Sequence, residues 1–179
     1  VEFSHPFCDT LRGVLQQADG LGFGNFSVVC FSRLPMERFE ILDVPTLVVY
    51  LEHEGRPLTF IGAHPPRPFG EQNFQERRRH IRELAALLKS MSGEVILACD
   101  LNSTPWCDGM RLLMEESGMA FNSVPPVWVP TWGCDGPHMI PIDHVLVKNG
   151  LMVLKREIGP DLGSDHCSVM VEIAKTGGL

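Results

Sequence analysis

The feature that most constrains the fold is an apolar run that ends in two polar side chains. Residues 95–99 form the run, and Asp100 and Asn102 follow it. Such a run predicts a buried strand, and the alternation of side chains along a strand predicts that Asp100 and Asn102 point to the same side. A carboxylate beside a carboxamide can hold a metal ion or contact phosphate. An Asx turn is the alternative, because Asp and Asn also favour turns for backbone reasons.

Other apolar runs predict the remaining strands. A turn at residues 53–56 joins two of the runs into a hairpin, and three glycines between residues 20 and 24 predict a loop. Strands grouped in hairpins with a few helices between them indicate a layered α+β domain. The predicted strands cover residues 26–31, 46–52, 58–63, 142–147, 153–158 and 167–173.

Two segments have helical spacing. In residues 74–91 the apolar side chains recur on one face, and we predict that the opposite face is solvated. The predicted solvated residues are Arg77, Arg78, Arg79, Arg82 and Glu83. A second helix is predicted after Ser103 or Thr104 as N-cap, with Pro105 in its first turn and Gly118 as its end.

Length and charge limit the function classes. The 179 residues suit one domain, residues 1–179, and 44% hydrophobic residues with 21% charged residues are typical of a globular chain. A net charge of −7 lacks the basic excess of general nucleic-acid binders, although a bound cation can neutralise a phosphate site locally. The six cysteines show no C-x-x-C spacing, which argues against a zinc knuckle.

Polar residues at the ends of other apolar runs repeat the pattern of Asp100. His64 follows one run, Asp143 begins another, and Asp165 and His166 precede the last. Each alone is more often a hydrogen-bonded structural residue. Together with Asp100 and Asn102 they are the ingredients of metal-assisted phosphoryl hydrolysis, with carboxylates for Mg²⁺ or Mn²⁺ and an imidazole to activate water.

These motifs resemble the endonuclease/exonuclease/phosphatase superfamily, which has the DNase I-like fold. The resemblance rests on D-x-N, I-D-H and S-D-H in the family's order, from about residue 23 to the C-terminus. It implies a two-layer β-sandwich flanked by helices, with the active site at one end. The matching segments are residues 28–35, 62–65, 96–105, 141–145 and 163–167.

The resemblance also implies roles. His166 would be the catalytic histidine, oriented by Asp143, and Asp165 would be a metal ligand. Asp100 would position the nucleophile or a second metal. Asn102 would hold the phosphate and contribute to the metal site, and His64 would contact the scissile phosphate or help the leaving group. His144 is expected to be structural.

Two departures from the family pattern stand out. The family's first strand and helix, and a second strand ending in L-Q-E whose glutamate is the principal metal ligand, have no match before residue 24. We therefore expect an N-terminally truncated domain with weak metal binding, and an exposed sheet edge that permits oligomers. Cys99 stands where glycine is usual.

Some segments resemble a bacterial subgroup with an N-terminal membrane anchor, namely residues 55–66 and 158–163. This implies a domain outside the cytoplasm and a lipid-linked phosphate substrate. Our leading interpretation is a metal-dependent phosphatase or phosphodiesterase. The alternatives are a nuclease acting on DNA or RNA, and a catalytically inactive domain that binds a partner.

Overall fold

The computed structural model describes residues 19–21, 28–42, 45–121, 129–133, 139–160 and 162–176. Their strands form one five-stranded mixed sheet and two separate strand pairs, and two helices accompany them. The elements are β1 (Asp19–Leu21), β2 (Cys30–Ser32), β3 (Met36–Leu42), β4 (Thr46–His53), β5 (Arg56–Ala63), α1 (Gly70–Ser90), β6 (Glu94–Asp100), α2 (Asp108–Ser117), β7 (Asp143–Lys148), β8 (Leu151–Ile158) and β9 (Val169–Lys175).

The five-stranded sheet has the order β3-β4-β5-β6-β7. Its strands pair antiparallel except for β5 and β6, which are parallel and connected by α1. A tight turn at Glu54 and Gly55 joins β4 to β5, and both residues have positive φ, 54° and 72°. Two consecutive left-handed residues match the right-handed twist of the strands that they connect.

Helices cover one face of this sheet. Alternate residues of the central strands, such as Val48, Ile61 and Leu97, point to that face and are 0% exposed. They pack with the apolar stripes of α1 and α2, including Leu88 and Met110. A strand whose two faces are both buried reads as a continuous apolar run, which explains why residues 95–99 contain no polar position.

The two strand pairs cover the opposite face. Leu47 and Val49 of β4 pack with Cys30 of β2. Ile96 of β6 packs with the cluster that contains Val153 of β8. The predicted α+β architecture, a layered β-structure flanked by helices, is therefore confirmed.

Some local predictions are wrong. Strand β3 was not predicted, because Glu37, Arg38 and Glu40 interrupt its apolar pattern, and an exposed edge strand tolerates such residues. Residues 19–21, predicted to be a loop, form β1.

The N-cap of α2 was also predicted wrongly. It is Cys107 and neither Ser103 nor Thr104, whose hydroxyls contact Arg77 and the Cys107 thiol instead. The predicted end is correct, since Gly118 takes a φ of 73° and its N–H donates to the Met114 carbonyl.

Neither described helix has the length and apolar composition needed to cross a lipid bilayer.

Close packing of β5 against the segment before β2 generates a test of the fold. A Cβ atom added at Gly62 would overlap the side chain of Val28, whereas one added at Gly93 meets nothing within 4 Å. We expect Gly62→Ala to lower the free energy of unfolding by about 1–3 kcal/mol through overpacking. Gly93→Ala is the control, with an expected change within about 0.5 kcal/mol. Urea unfolding measures both, and equal effects would contradict the packing.

Candidate active site

The site lies at the edge of the five-stranded sheet that is formed by strand ends, where three neighbouring strands place polar residues side by side. Because β5 and β6 are parallel, they end at the same edge, and Ala63 pairs with Cys99. Strand β7 runs antiparallel to β6 and begins there, so that Asp143 pairs with Asp100. His64 follows β5 directly at this edge.

His166 joins the site from the segment before β9. Its Nδ1 lies 2.9 Å from Oδ2 of Asp143, and its Nε2 lies 3.8 Å from Oδ2 of Asp100. The His166 side chain is 9% exposed, and that of Asp100 is 7% exposed. The imidazole is therefore held between two carboxylates, with Nδ1 bonded to one and Nε2 facing the other.

His64 contacts the same carboxylate from the other side. Its Nε2 lies 3.3 Å from Oδ2 of Asp100. Four of the predicted site residues, His64, Asp100, Asp143 and His166, thus converge, and all four line a cavity of about 290 Å³.

The charges around His166 favour its protonated form. The hydrogen bond that His166 donates to Asp143 is the largest influence and raises the pKa of His166, although burial opposes this rise. The carboxylates of Asp100 and Asp165 act in the same direction. A raised pKa makes the imidazole a stronger base.

Asp100 remains ionised despite its burial. Burial alone would raise its pKa, but hydrogen bonds from the His64 side chain and the Asn102 N–H, together with the nearby histidines, lower the pKa overall. The site therefore holds a buried carboxylate that keeps its charge at neutral pH.

Asn102 occupies a turn immediately beyond β6. Its backbone is left-handed, with a φ of 48°, and its N–H donates to Oδ1 of Asp100 over 2.9 Å. Its side-chain Nδ2 donates to the Pro65 carbonyl over 3.1 Å. The Asx-type turn that was an alternative to a site is thus present within the site, where it holds Asp100 and links the segment after His64.

Two buried side chains, on a helix and on a neighbouring strand, form hydrogen bonds with this turn. Arg77 of α1, 7% exposed, donates from Nη1 to the carbonyls of Leu101 (3.4 Å) and Asn102 (3.1 Å) and to Oγ of Ser103. His144 of β7, 2% exposed, contacts the Ser103 carbonyl from Nε2 over 2.7 Å.

Burial lowers the pKa of His144 to about 4, so the ring is neutral at pH 7. Because a carbonyl can only accept a hydrogen bond, the proton of the neutral ring lies on Nε2. The prediction that Arg77 belongs to a solvated helix face is wrong, because its side chain is buried and donates hydrogen bonds to carbonyls of the turn.

The Asp143 backbone is also fixed by its neighbours. Thr131, 0% exposed, accepts hydrogen bonds at Oγ1 from the N–H groups of Ile142 and Asp143, each over 3.0 Å. The Thr131 carbonyl accepts from the N–H of Cys167 over 2.8 Å, and Arg156 donates to the Asp143 carbonyl over 2.8 Å. Thr131 thus connects Asp143 to Cys167, the residue that follows His166.

Asp165, predicted as a metal ligand, points elsewhere. It is exposed, and its Oδ2 accepts a hydrogen bond from the indole N–H of Trp132 over 3.2 Å. Neither Asp165 nor Asn102 lines the cavity.

The residues present suit a hard divalent cation. Donor atoms of Asp100, Asp143 and His166 all lie within 4.8 Å of one another. Carboxylate oxygens are the ligands that Mg²⁺ and Mn²⁺ prefer, and Mg²⁺ commonly uses only one or two protein carboxylates.

The supporting residues were missed by the sequence analysis for different reasons. Arg77 had a signal, because it falls in register with Ile81, Leu84 and Leu88 on the apolar stripe of α1. Thr131, Trp132 and Arg156 had none, since they act mainly through hydrogen bonds between segments far apart in sequence.

Removing the charge of Asp143 is expected to lower the pKa of His166. NMR titration of the imidazole Cε1–H signal in metal-free protein measures this in Asp143→Asn, with Glu157→Gln as a control on β8. A raised folded-state pKa adds stability that is fully present below the unfolded value of about 6.5 and is lost as pH rises through the folded value. Asp143→Asn should weaken the dependence of the free energy of unfolding on pH. An unchanged titration of His166 in this variant would contradict the pairing of His166 with Asp143.

Removing the guanidinium of Arg77 is expected to loosen the turn. Arg77→Met leaves buried carbonyls without their donor, at a cost of about 1–3 kcal/mol in the free energy of unfolding. Hydrogen exchange at the Asn102 and Ser103 amides should accelerate. Arg82→Met, at an exposed position of the same helix, is the control. Equal exchange in both variants would show that Arg77 does not hold the turn.

Comparison with known proteins identifies the family but not the reaction. The model of the Endonuclease/Exonuclease/phosphatase family matches residues 4–166. No curated protein sequence matches the chain significantly.

Solved structures share the fold at low identity. An endonuclease/exonuclease/phosphatase from Bacteroides vulgatus has a TM-score of 0.73 and 15% identity, over 94% of this chain and 80% of that one. A mannosyl-6-phosphatase from Bacteroides thetaiotaomicron has a TM-score of 0.66 and 13% identity, over 93% and 80%. Sphingomyelinase C from Streptomyces griseocarneus has a TM-score of 0.55 and 16% identity, over 84% and 68%. With a family match over most of its length and the fold of these proteins, the chain belongs to the endonuclease/exonuclease/phosphatase family, whose members are generally metal-dependent hydrolases of phosphate esters.

Proposed function

We propose that the protein is a Mg²⁺- or Mn²⁺-dependent phosphatase or phosphodiesterase. The observation that carries the proposal is the position of His166, whose Nδ1 is bonded to Asp143 while Nε2 faces Asp100 in the cavity. A histidine with one nitrogen fixed by a carboxylate has a defined tautomer and is suited to general-base catalysis.

In the proposed reaction, water attacks phosphorus and the bond from phosphorus to the ester oxygen breaks. Nε2 of His166 takes the proton of the attacking water, and Asp143 stabilises the imidazolium that forms. The leaving oxygen takes a proton, for which we propose His64 as donor. Asn102 has a second amide hydrogen besides the one bonded to Pro65, and we propose that it contacts a phosphate oxygen.

The carboxylates of Asp100 and Asp143 would hold the cation. When bound, it would neutralise charge on the phosphoryl oxygens and acidify a coordinated water. Family membership supports this dependence, since members are typically divalent-metal dependent. Asp165, exposed and bonded to Trp132, would not contribute unless it rotates.

A substrate panel tests the proposal. Wild type and His166→Ala are assayed with p-nitrophenyl phosphate, bis(p-nitrophenyl) phosphate and plasmid DNA, with Mg²⁺, Mn²⁺ or EDTA. We expect turnover of an aryl phosphate that EDTA abolishes, and a loss of about 100- to 10,000-fold in kcat for His166→Ala, because the general base is removed.

The control is His53→Ala, at the end of β4 opposite the site, where His53 pairs with Arg56. Circular dichroism verifies that both variants fold. Cleavage of plasmid alone would favour the nuclease alternative, and no turnover of any substrate would favour the binding domain. Turnover that survives in His166→Ala would contradict the assigned base.

A further inference from the structure

The Asp143–His166 pair spans two sheets. Asp143 begins β7 of the five-stranded sheet, whereas His166 precedes β9, which pairs with β8 in a separate sheet. The ladder between β6 and β7 fixes Asp143 relative to Asp100, but no ladder among the described strands connects the two sheets. The distance between Asp143 and His166 therefore depends on contacts outside the ladders.

Residues 131–133 lie between the two segments that carry this pair. On one side, Trp132 exchanges backbone hydrogen bonds with Ile140 over 3.1 and 3.2 Å. On the other side, Trp132 forms a β-bridge with His166. The segment that leads into β7 and the segment that leads into β9 are thus held by one intervening stretch of chain.

Within this stretch, Thr131 contacts both segments. Thr131 is 0% exposed, and its Oγ1 accepts hydrogen bonds from the N–H groups of Ile142 and Asp143, each over 3.0 Å. Its carbonyl accepts a hydrogen bond from the N–H of Cys167 over 2.8 Å. A hydroxyl oxygen has two lone pairs, so the two N–H groups use its full capacity as an acceptor. The hydroxyl is thus committed to the backbone of Asp143, and the carbonyl to the residue after His166.

The position of Asp143 decides which nitrogen of His166 is free. Oδ2 of Asp143 lies 2.9 Å from Nδ1, within hydrogen-bond distance, whereas Oδ2 of Asp100 lies 3.8 Å from Nε2. The neutral ring carries one proton, and the two carboxylates compete for it from opposite sides. Because Asp143 is closer, the proton lies on Nδ1 and Nε2 keeps its lone pair. A displacement of Asp143 by about 1 Å would remove this preference.

We propose that Thr131 is a positioning residue for the reaction. Its hydroxyl holds the Asp143 backbone so that the carboxylate binds Nδ1 of His166, and Nε2 is left free to take the proton of the attacking water. This rests on the proposed function and adds a residue to it. Thr131 does not line the cavity, and it therefore acts through Asp143 and not on the substrate.

A purely structural role is the alternative, because a buried threonine that accepts two N–H groups also stabilises the fold. The two roles predict different results. Loss of a structural bond lowers the free energy of unfolding but leaves the imidazole and the rate of the folded protein unchanged. Loss of a positioning bond changes both the imidazole and the rate in protein that is still folded.

The tautomer of His166 tests the proposal without turnover. Long-range proton–nitrogen NMR spectra of metal-free protein, recorded at alkaline pH where the ring is neutral, show which nitrogen carries the proton. We expect the Nδ1–H form in the wild type. Thr131→Val keeps the shape of the side chain but has no acceptor for the two N–H groups, and we expect a mixture of both tautomers. Thr131→Ser keeps the hydroxyl and should restore the Nδ1–H form.

The rate gives a second measurement. With p-nitrophenyl phosphate and saturating Mg²⁺, Thr131→Val is expected to lower kcat about 10- to 100-fold, because a displaced carboxylate no longer orients the base. KM should change little, since Thr131 does not line the cavity. Thr131→Ser should recover most of the lost kcat.

The matched control is Thr59→Val. It makes the same chemical change on β5, where Thr59 pairs with Val95 at the end of β6 remote from Asp100. The control is expected to keep the wild-type tautomer and kcat. Circular dichroism verifies that each variant folds. If Thr131→Val does not fold, Thr131→Cys takes its place, because the thiol is small and its sulfur is only a weak acceptor, and the same changes are expected.

The two measurements also separate this proposal from the reaction. If the wild type hydrolyses no phosphate ester but the tautomer shifts in Thr131→Val, the reaction fails and the placement of Asp143 by Thr131 stands. If the wild type hydrolyses esters and a folded Thr131→Val retains the wild-type tautomer or the wild-type kcat, the reaction stands and the proposal for Thr131 is overturned. Equal changes in Thr59→Val, or no recovery in Thr131→Ser, would overturn it as well.

Discussion

The parallel pairing of β5 and β6 is the constraint on which the site depends. Parallel strands end at the same edge, and so His64 and Asp100 meet although the whole of α1 separates them in sequence. The antiparallel start of β7 then brings Asp143 opposite Asp100. Two backbone ladders, which join three strands, thus fix the carboxylates and one histidine before any side-chain contact is considered.

The burial of the central strands explains which site residues could be predicted from the sequence. Buried central strands appear as continuous apolar runs, and the polar residues at the ends of such runs include His64, Asp100, Asp143 and His166, which the structure brings together at one cavity. Edge strand β3 could not be found in this way, because one of its faces is exposed and its charged residues erase the pattern. The supporting role of Thr131 depends on bonds between distant segments, which no local pattern encodes.

Arg77 illustrates how a correct helix prediction can misplace one side chain. Its charge predicted an exposed position, but its place in the repeat of α1 puts it against the turn after β6, where carbonyl oxygens accept hydrogen bonds from its N–H groups. A buried cation paired with carbonyls satisfies backbone groups that the left-handed turn would otherwise leave without donors. Hydrogen bonds from Arg77 thus attach the turn at Asn102 to helix α1.

The tight turn at Glu54 and Gly55 has a practical consequence. It lies at the end of the hairpin remote from Ala63, and its strained backbone leaves a short, exposed link between two strongly paired strands. A dye or tether attached at Glu54 would therefore stay far from the cavity. Molecules immobilised through that position would all present the end that carries the cavity to the solution, which suits single-molecule and surface-based measurements.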